Sequence, residues 1–82
     1  MKINELITYR EVEDSIVIIT PWNNAMHFIE ETGKLIFEEL LNGKNEDEIL
    51  NRILEVYDVD RNEAEKDLAE FIEELKIKEI FV

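Results

Sequence analysis

The segment Ile29–Phe37 marks the point at which the hydrophobic pattern of this chain changes from strand-like to helical. Before it, Ser15–Thr20 is the strongest strand signal in the sequence, with four consecutive β-branched apolar residues between two hydroxyl residues. Pro21 ends this strand because proline has no N–H to donate to a sheet. After the change, apolar residues recur at helical spacing to near the end of the chain. The pattern predicts a small sheet followed by helices.

Two weaker strand patterns flank this central one. Leu6–Val12 contains β-branched and aromatic residues with partial alternation, and the polar turn Glu13–Ser15 separates it from the central strand. On the other side, Pro21–Asn24 is typical of a turn. Ala25–Ile29 fits either a third strand or the approach to a helix, since so short a segment shows no decisive period. We predict that this segment forms a third strand.

Three amphipathic helices are predicted after Ile29, each with its own start signal. Thr32 is a suitable N-cap for the first helix, because its hydroxyl can accept a backbone N–H. Gly43 suits the left-handed residue that commonly ends a helix. Capping-box pairs for the second and third helices are Asn45 with Glu48 and Asp60 with Glu63.

The third helix is expected to end near Lys76, which gives it a length of roughly 24 Å. Ile77–Val82 is a short apolar tail, which predicts either a strand or an extended cover over the core. The resulting order is β-β-β-α-α-α, an α+β class with a three-stranded antiparallel sheet followed by a three-helix bundle. This order predicts a winged helix-turn-helix, and the 82 residues, 1–82, are expected to form a single domain.

The charge distribution argues against nucleic acid as a partner. The net charge is −12, and residues 30–82 carry seventeen Asp and Glu against seven Lys and Arg. Phosphate backbones are bound by basic surfaces that release counterions, whereas the predicted third helix is rich in carboxylates. The acidity favours either simple solubility or a cationic partner such as a peptide that carries Lys or Arg.

The residues needed for catalysis or for holding a cofactor are missing from the sequence. There is no Cys, and His27 is the only His, so no soft-ligand metal set can be assembled. Asp58–Asn62 resembles the first half of a calcium loop, but Glu63 and Ala69 stand where the Gly and the closing Glu belong. We therefore expect no enzyme, no metal and no cofactor. The longest apolar run, Ile16–Ile19, is far too short to span a membrane, and a cytoplasmic location without membrane contact is expected.

An ordered series of short segments resembles the PqqD-like family, the peptide chaperones of pyrroloquinoline quinone biosynthesis. The resemblance covers about residues 6–82, and its strongest part is Phe28–Gly33 with Ile36 and Phe37, similar to an aromatic-Leu-Asn-Glu-Thr-Gly segment and an Ile-Trp pair. Two positions depart from the pattern. Glu30 stands where Asn is usual, and Glu79 stands where Gly usually precedes the final apolar pair. The other matching segments are Leu40–Lys44, Glu48-Ile49, Tyr57–Asp60 and Asp67–Leu75.

The resemblance implies a function in binding rather than catalysis. Family members bind the leader segment of a ribosomally made precursor peptide and present it to a modifying enzyme, often a radical-SAM enzyme, or to a leader protease. The leader adds as a strand to the third β-strand and lies against the third helix. Carried onto this sequence, the strand edge is Ala25, Met26, His27 and Phe28, and the helix wall is Ala64, Asp67, Leu68, Phe71 and Glu74.

One alternative interpretation remains open. The same elements could form a generic winged-helix interaction or dimerisation domain with no leader peptide. An open strand edge also allows a homodimer in which two copies pair or swap the third strand.

Overall fold

The computed structural model describes residues 1–82 and contains three strands followed by three helices. The order confirms the predicted α+β class and its β-β-β-α-α-α sequence of elements. The elements are β1 (Thr8–Val12), β2 (Ser15–Thr20), β3 (Ala25–Glu30), α1 (Glu31–Leu41), α2 (Glu46–Val56) and α3 (Arg61–Ile77).

The three strands form one antiparallel sheet in the order β1-β2-β3, with β2 in the centre. β1 begins at Thr8, two residues later than the pattern from Leu6 predicted. The Asn4 side chain accepts a hydrogen bond from the Leu6 N–H at 3.0 Å, and the Asn4 carbonyl accepts one from Ile7. This local turn uses backbone donors that a longer strand would need for pairing.

Two buried clusters form the core, and one aromatic side chain joins them. The first cluster lies between the sheet, α1 and the end of the chain, and the second lies among the three helices. Phe71 is half-buried and packs against both. The first cluster contains Ile7, Ile16, Ile18, Ile29, Phe37, Leu75, Ile80 and Phe81, and the second contains Ile36, Ile49, Leu50, Ile53, Ala64, Leu68 and Ile72.

The end of α1 and the start of α2 follow the sequence signals. The Gly43 backbone has φ +79°, and the N–H groups of Gly43 and Lys44 bond back to Leu40 and Glu39, as in a Schellman cap. The capping box of α2 is also confirmed, with Glu48 N–H donating to the Asn45 side chain at 2.8 Å and the reciprocal bond at 3.0 Å.

The start of α1 differs from the prediction. Its N-cap is Glu30, not Thr32, and no side chain bonds the free N–H groups. The chain leaves β3 through Glu31, whose φ of 51° lies in the left-handed region. Because this residue makes the reversal from strand to helix, the helix begins one residue before the Thr32 hydroxyl can cap it.

At the start of α3, one part of the prediction is confirmed and another part is wrong. Asp60 is the N-cap as predicted, but it makes no side-chain cap bond, so the predicted capping box with Glu63 is wrong. At the other end, the N–H groups of Glu79 and Ile80 bond back to Lys76 and Leu75 at 3.0 and 2.9 Å, which is a second Schellman cap. Here the left-handed position is occupied by Glu79, with φ 61°.

The last residues of the chain cover the core, as one of the two predictions for Ile77–Val82 stated. Ile80 and Phe81 are buried, and Phe81 forms an antiparallel bridge with Ile3. Lys2 and Val82 exchange two backbone hydrogen bonds, at 2.8 and 2.7 Å. The two chain ends are therefore held together beneath the sheet. None of the helices combines the length and the apolar character needed to cross a membrane.

Candidate functional site

The free edge of β3 is the first part of the candidate site. β3 pairs with β2 along its whole length, and its other edge has no partner strand. An edge of this kind presents unpaired backbone N–H and C=O groups that can bind an extended chain. The side chains of Ala25, His27 and Ile29 lie opposite inward-facing residues of β2, whereas Met26 and Phe28 lie on the outer face of the sheet.

A turn held by side-chain bonds sets the start of β3. The buried Thr20 hydroxyl bonds the Asn23 side chain, and Asn23 Oδ1 accepts the Ala25 N–H at 3.1 Å. Asn24, between them, adopts φ 53°, a conformation that Asn tolerates better than most residues. The chain is thereby reversed over Pro21–Asn24 and returned beside β2 in register.

The side of α3 that flanks β3 is identified by Phe71. A methyl group built on Gly33, in the first turn of α1, would stand 3.0 Å from the Phe71 ring and 3.0 Å from the Ile29 side chain. The ring therefore lies at the junction of β3 and α1. Residues three or four positions apart share one face of a helix, so Asp67, Glu74 and Lys78 lie on the same stripe as Phe71, and all three are exposed.

We refer to the space between the free edge of β3 and this stripe of α3, Asp67, Phe71, Glu74 and Lys78, as the β3–α3 groove. Two residues that the sequence assigned to its wall are instead in the helical core. Ala64 and Leu68 are only 3% and 4% exposed and pack in the cluster among the helices. Both residues lie on the apolar stripe of α3 that packs into the core. They hold α3 in place but present no exposed surface to a ligand.

His27 is the single titratable group on the inward side of β3. Its Nε2 lies 3.2 Å from the Thr20 hydroxyl. Burial lowers the pKa of His27 below its ordinary value of 6.5, and the positive charge of Lys78 lowers it further. Both effects favour the neutral imidazole, and Lys78 lies close enough to His27 to contribute to the lowering of its pKa.

The sequence interpretation missed Lys78. It lies just after the last helical residue, in the C-cap of α3, and its backbone is still helical. The signal that identifies it is its spacing of four residues from Glu74, which continues the stripe by one turn. The β3–α3 groove therefore has two carboxylates, Asp67 and Glu74, along the stripe and a cation, Lys78, at its end.

The outer face of the sheet carries an exposed apolar surface. Met26 and Phe28 are 58% and 65% exposed, and Ile19 of β2 is also exposed beside them. A shallow apolar depression on this face is lined by Thr8, Tyr9, Arg10, Val17, Ile19 and Met26. Two of the predicted strand residues therefore direct their side chains away from α3, so a strand added to β3 would contact them with every second side chain.

The largest cavity, of about 510 Å³, contains no residue of the α3 stripe. It opens beyond the end of β3 and is lined mainly by carboxylates around Lys34. Lys34 donates to Glu11 at 3.0 Å, and this hydrogen bond raises the pKa of the lysine. No group of three or more His, Cys, Asp or Glu residues is arranged to hold a metal ion. The β3–α3 groove therefore remains the candidate site.

Two solved structures have folds similar to that of this chain. The chain matches the fold of "TbiB1 in Complex with the TbiA(beta) Leader Peptide" with a TM-score of 0.90, at 30% identity over 98% of this chain and 93% of that one. It matches "Lasso peptide synthetase B1 complexed with the leader peptide" with a TM-score of 0.88, at 22% identity over 96% and 93%. The second similarity is one of fold.

No curated protein has a significant match to the chain. The sequence model of one family, coenzyme PQQ synthesis protein D (PqqD), matches residues 15–80, which include β2, β3 and all three helices. This range holds both walls of the β3–α3 groove. The chain therefore belongs to the PqqD family.

Proposed function

We propose that this protein is a non-catalytic recognition domain that binds the leader segment of a ribosomally synthesised precursor peptide. The leader adds as a fourth strand along β3 and lies in the β3–α3 groove. The observation that carries the proposal is the unpaired edge of β3 beside the exposed stripe of α3. The two structural neighbours, both named as complexes with leader peptides, support it.

Backbone pairing and side-chain contacts have different roles in this binding. Main-chain hydrogen bonds along β3 supply affinity that depends little on sequence, and the flanking side chains supply selectivity. Phe71 offers the apolar contact on the α3 side, and Asp67 or Glu74 can pair with a Lys or Arg of the leader. Ala64 and Leu68 set the position of α3 from within the core.

The partner of the complex is a modifying enzyme, of the radical-SAM type, or a leader protease. The domain then acts as a peptide chaperone that holds the leader while the enzyme acts on the rest of the precursor. Because ribosomal precursors are made in the cytoplasm, this function requires a cytoplasmic protein. The absence of Cys fits a reducing compartment.

The alternative function is a homodimer in which the β3 edges of two copies pair with each other. The same unpaired edge favours it, since a free edge can bind a second copy as readily as a peptide. Sedimentation of the protein with and without peptide separates the two. A monomer that binds peptide one to one supports the leader proposal, and a dimer that excludes peptide supports the alternative.

The decisive experiment is a fluorescence-polarisation titration with labelled leader segments from small open reading frames encoded beside this gene. We expect saturable binding with Kd from nanomolar to low micromolar, or roughly −12 to −8 kcal/mol. Phe71→Ala and Asp67→Lys should each weaken it. Glu73→Lys is the matched control for the second change, because Glu73 is exposed on the opposite side of α3 from Phe71. If a folded protein binds none of these peptides, the proposal is wrong.

A further inference from the structure

The charges along the β3–α3 groove follow a definite order. Phe71 lies against Ile29 and Gly33, at the end of β3, while Lys78 is two turns farther along α3 and acts on His27, nearer the start of β3. α3 therefore runs in the opposite direction to β3. Asp67 lies one turn before Phe71, at the far end of the groove from Lys78, and Glu74 lies between Phe71 and Lys78, so both carboxylates precede the cation along the stripe.

Lys78 is an unpaired cation in a strongly acidic protein. The three ion pairs of the structure use Lys34, Arg52 and Arg61, and no carboxylate lies within 4 Å of the Lys78 ammonium. Its backbone is fixed by the Schellman cap that ends α3. A peptide in the groove would remove part of the water around this ammonium, which strengthens its attraction for a carboxylate.

We propose that the groove recognises the order of charges in the leader, and that Lys78 is a specificity-determining residue that pairs with a leader Asp or Glu. This inference rests on the proposed function. At the opposite end, Asp67 selects a leader Lys or Arg. The ligand is thus an extended peptide with one basic and one acidic side chain on the face directed at α3.

We infer the spacing of these two side chains from the rise of α3, taking the helix to lie along the added strand. Asp67 and Lys78 are separated by about 16 Å along the helix axis, which equals about five residues of a strand. Because only alternate residues of a strand face the same side, the basic and acidic residues are four or six positions apart. An antiparallel strand on β3, the more stable arrangement per residue, places the basic residue on the N-terminal side.

Selection from a library of random peptides by mRNA display tests the inference, whatever the sequence of the natural leader. Peptides of about 14 residues cover the groove at about 3.3 Å per residue. We expect enriched sequences with Lys or Arg followed, four or six residues later, by Asp or Glu. Enriched peptides without this order would overturn the inference and leave the proposed function standing, whereas no enrichment by the folded protein would contradict the proposed function itself.

Charge reversal then assigns the acidic position to Lys78. For an enriched peptide, Lys78→Glu should weaken binding about three- to tenfold, the range for gaining repulsion in place of an exposed ion pair. Changing the peptide's acidic residue to Lys should restore binding to Lys78→Glu. Lys76→Glu is the control, because it makes the same change at the same helix end but on another face. Equal losses in both variants, or no restoration, would refute the role of Lys78.

Discussion

The ring of Phe71 lies so close to Gly33 that a single methyl group on Gly33 would stand 3.0 Å from it. The φ of Gly33 is not positive, so the position needs glycine for space and not for backbone conformation. The same methyl group would also stand 3.0 Å from the Ile29 side chain of β3. Gly33 therefore lets α1, α3 and β3 approach closely at one end of the β3–α3 groove.

We expect Gly33→Ala to destabilise the protein by about 1 kcal/mol, although Ala is normally the better helix residue. Overpacking a tight contact costs about 1–3 kcal/mol, and the gain in helix propensity returns about 0.8–1.0 kcal/mol of it. Urea denaturation measures the change. The same variant should weaken leader binding, because the Phe71 ring must move into the groove.

A second background separates the two effects. In Phe71→Ala the ring is absent, so most of the crowding at Gly33 is removed, and Gly33→Ala should then cost much less or become stabilising. An equal loss of stability in both backgrounds would show that the Phe71 ring is not what restricts residue 33.

The two Schellman caps provide a matched pair for a stability prediction. Gly43 and Glu79 occupy equivalent left-handed positions, with φ of 79° and 61°, after α1 and α3. A left-handed conformation costs a non-glycine residue about 1–2 kcal/mol, partly offset by the greater freedom of Gly in the unfolded chain. Glu79→Gly should therefore stabilise the protein by about 1 kcal/mol, and Gly43→Ala should destabilise it by a similar amount.

Thermal unfolding checks both changes, since about 1 kcal/mol corresponds to a Tm shift of about 4–8 °C in a domain of this size. Glu79→Gln serves as the control for charge, because it removes the carboxylate and keeps the backbone strain. If Glu79→Gln raises the Tm as much as Glu79→Gly does, repulsion among the carboxylates explains the gain and the strain does not.

Local signals in the sequence predicted the strands and helices. Where the structure differs from the prediction, contacts between residues distant in the sequence are the reason. Ser15–Thr20 and the capping box of α2 were predictable because neighbouring residues determine them. The start of α1 was not, because Glu31 takes a left-handed conformation that its residue type disfavours, where β3 and α1 meet.

The candidate site was predictable only in part, for the same reason. The strand edge, Ala25 to Phe28, was carried over from the resemblance to the PqqD-like family, and in the structure that edge of β3 has no partner strand. The apolar stripe of α3 indicated a helix face, but periodicity alone does not divide that face between core and groove. Ala64 and Leu68 belong to the core, whereas the exposed Lys78 lies one turn after Glu74 on the stripe that includes Phe71. The proximity of Phe71 to Gly33, which is distant in the sequence, identifies the side of α3 that faces β3 and α1 rather than the core among the helices.

The stability of the protein should fall as pH decreases from about 6.5, because of His27. Its pKa in the folded protein is below 6.5, first because of burial and then because of Lys78. Well above pH 6.5 the imidazole is neutral in both the folded and the unfolded protein, so its full contribution to stability is present. Below it the unfolded chain binds the proton more readily, so stability is lost as pH falls through the folded pKa.

Urea denaturation between about pH 7.5 and 5.5 measures this slope, in a range above the ordinary carboxyl pKa values of about 4. His27→Gln should remove the slope. NMR titration of the imidazole in Lys78→Gln should give a higher pKa than in the parent protein, whereas an unchanged pKa would show that Lys78 does not act on β3.

Phe28→Thr should weaken leader binding with little effect on folding. Phe28 is 65% exposed on the outer face of β3, so its replacement by a β-branched, strand-compatible residue should change stability by no more than about 0.5 kcal/mol. Alternate side chains of a strand added to β3 would pack beside it, and loss of the ring removes that apolar contact. Titration of labelled leader, with urea denaturation of the same samples, measures both quantities.

Val12→Thr is the control on the same face, because Val12 is exposed on β1, at the opposite edge of the sheet. Binding that depends on Phe28 and not on Val12 supports a leader seated on the β3 edge. Equal losses at both positions would mean that the peptide lies across the outer face of the sheet. If neither change affects binding, the leader makes its side-chain contacts on the α3 side, through Phe71 and the charged residues of the stripe.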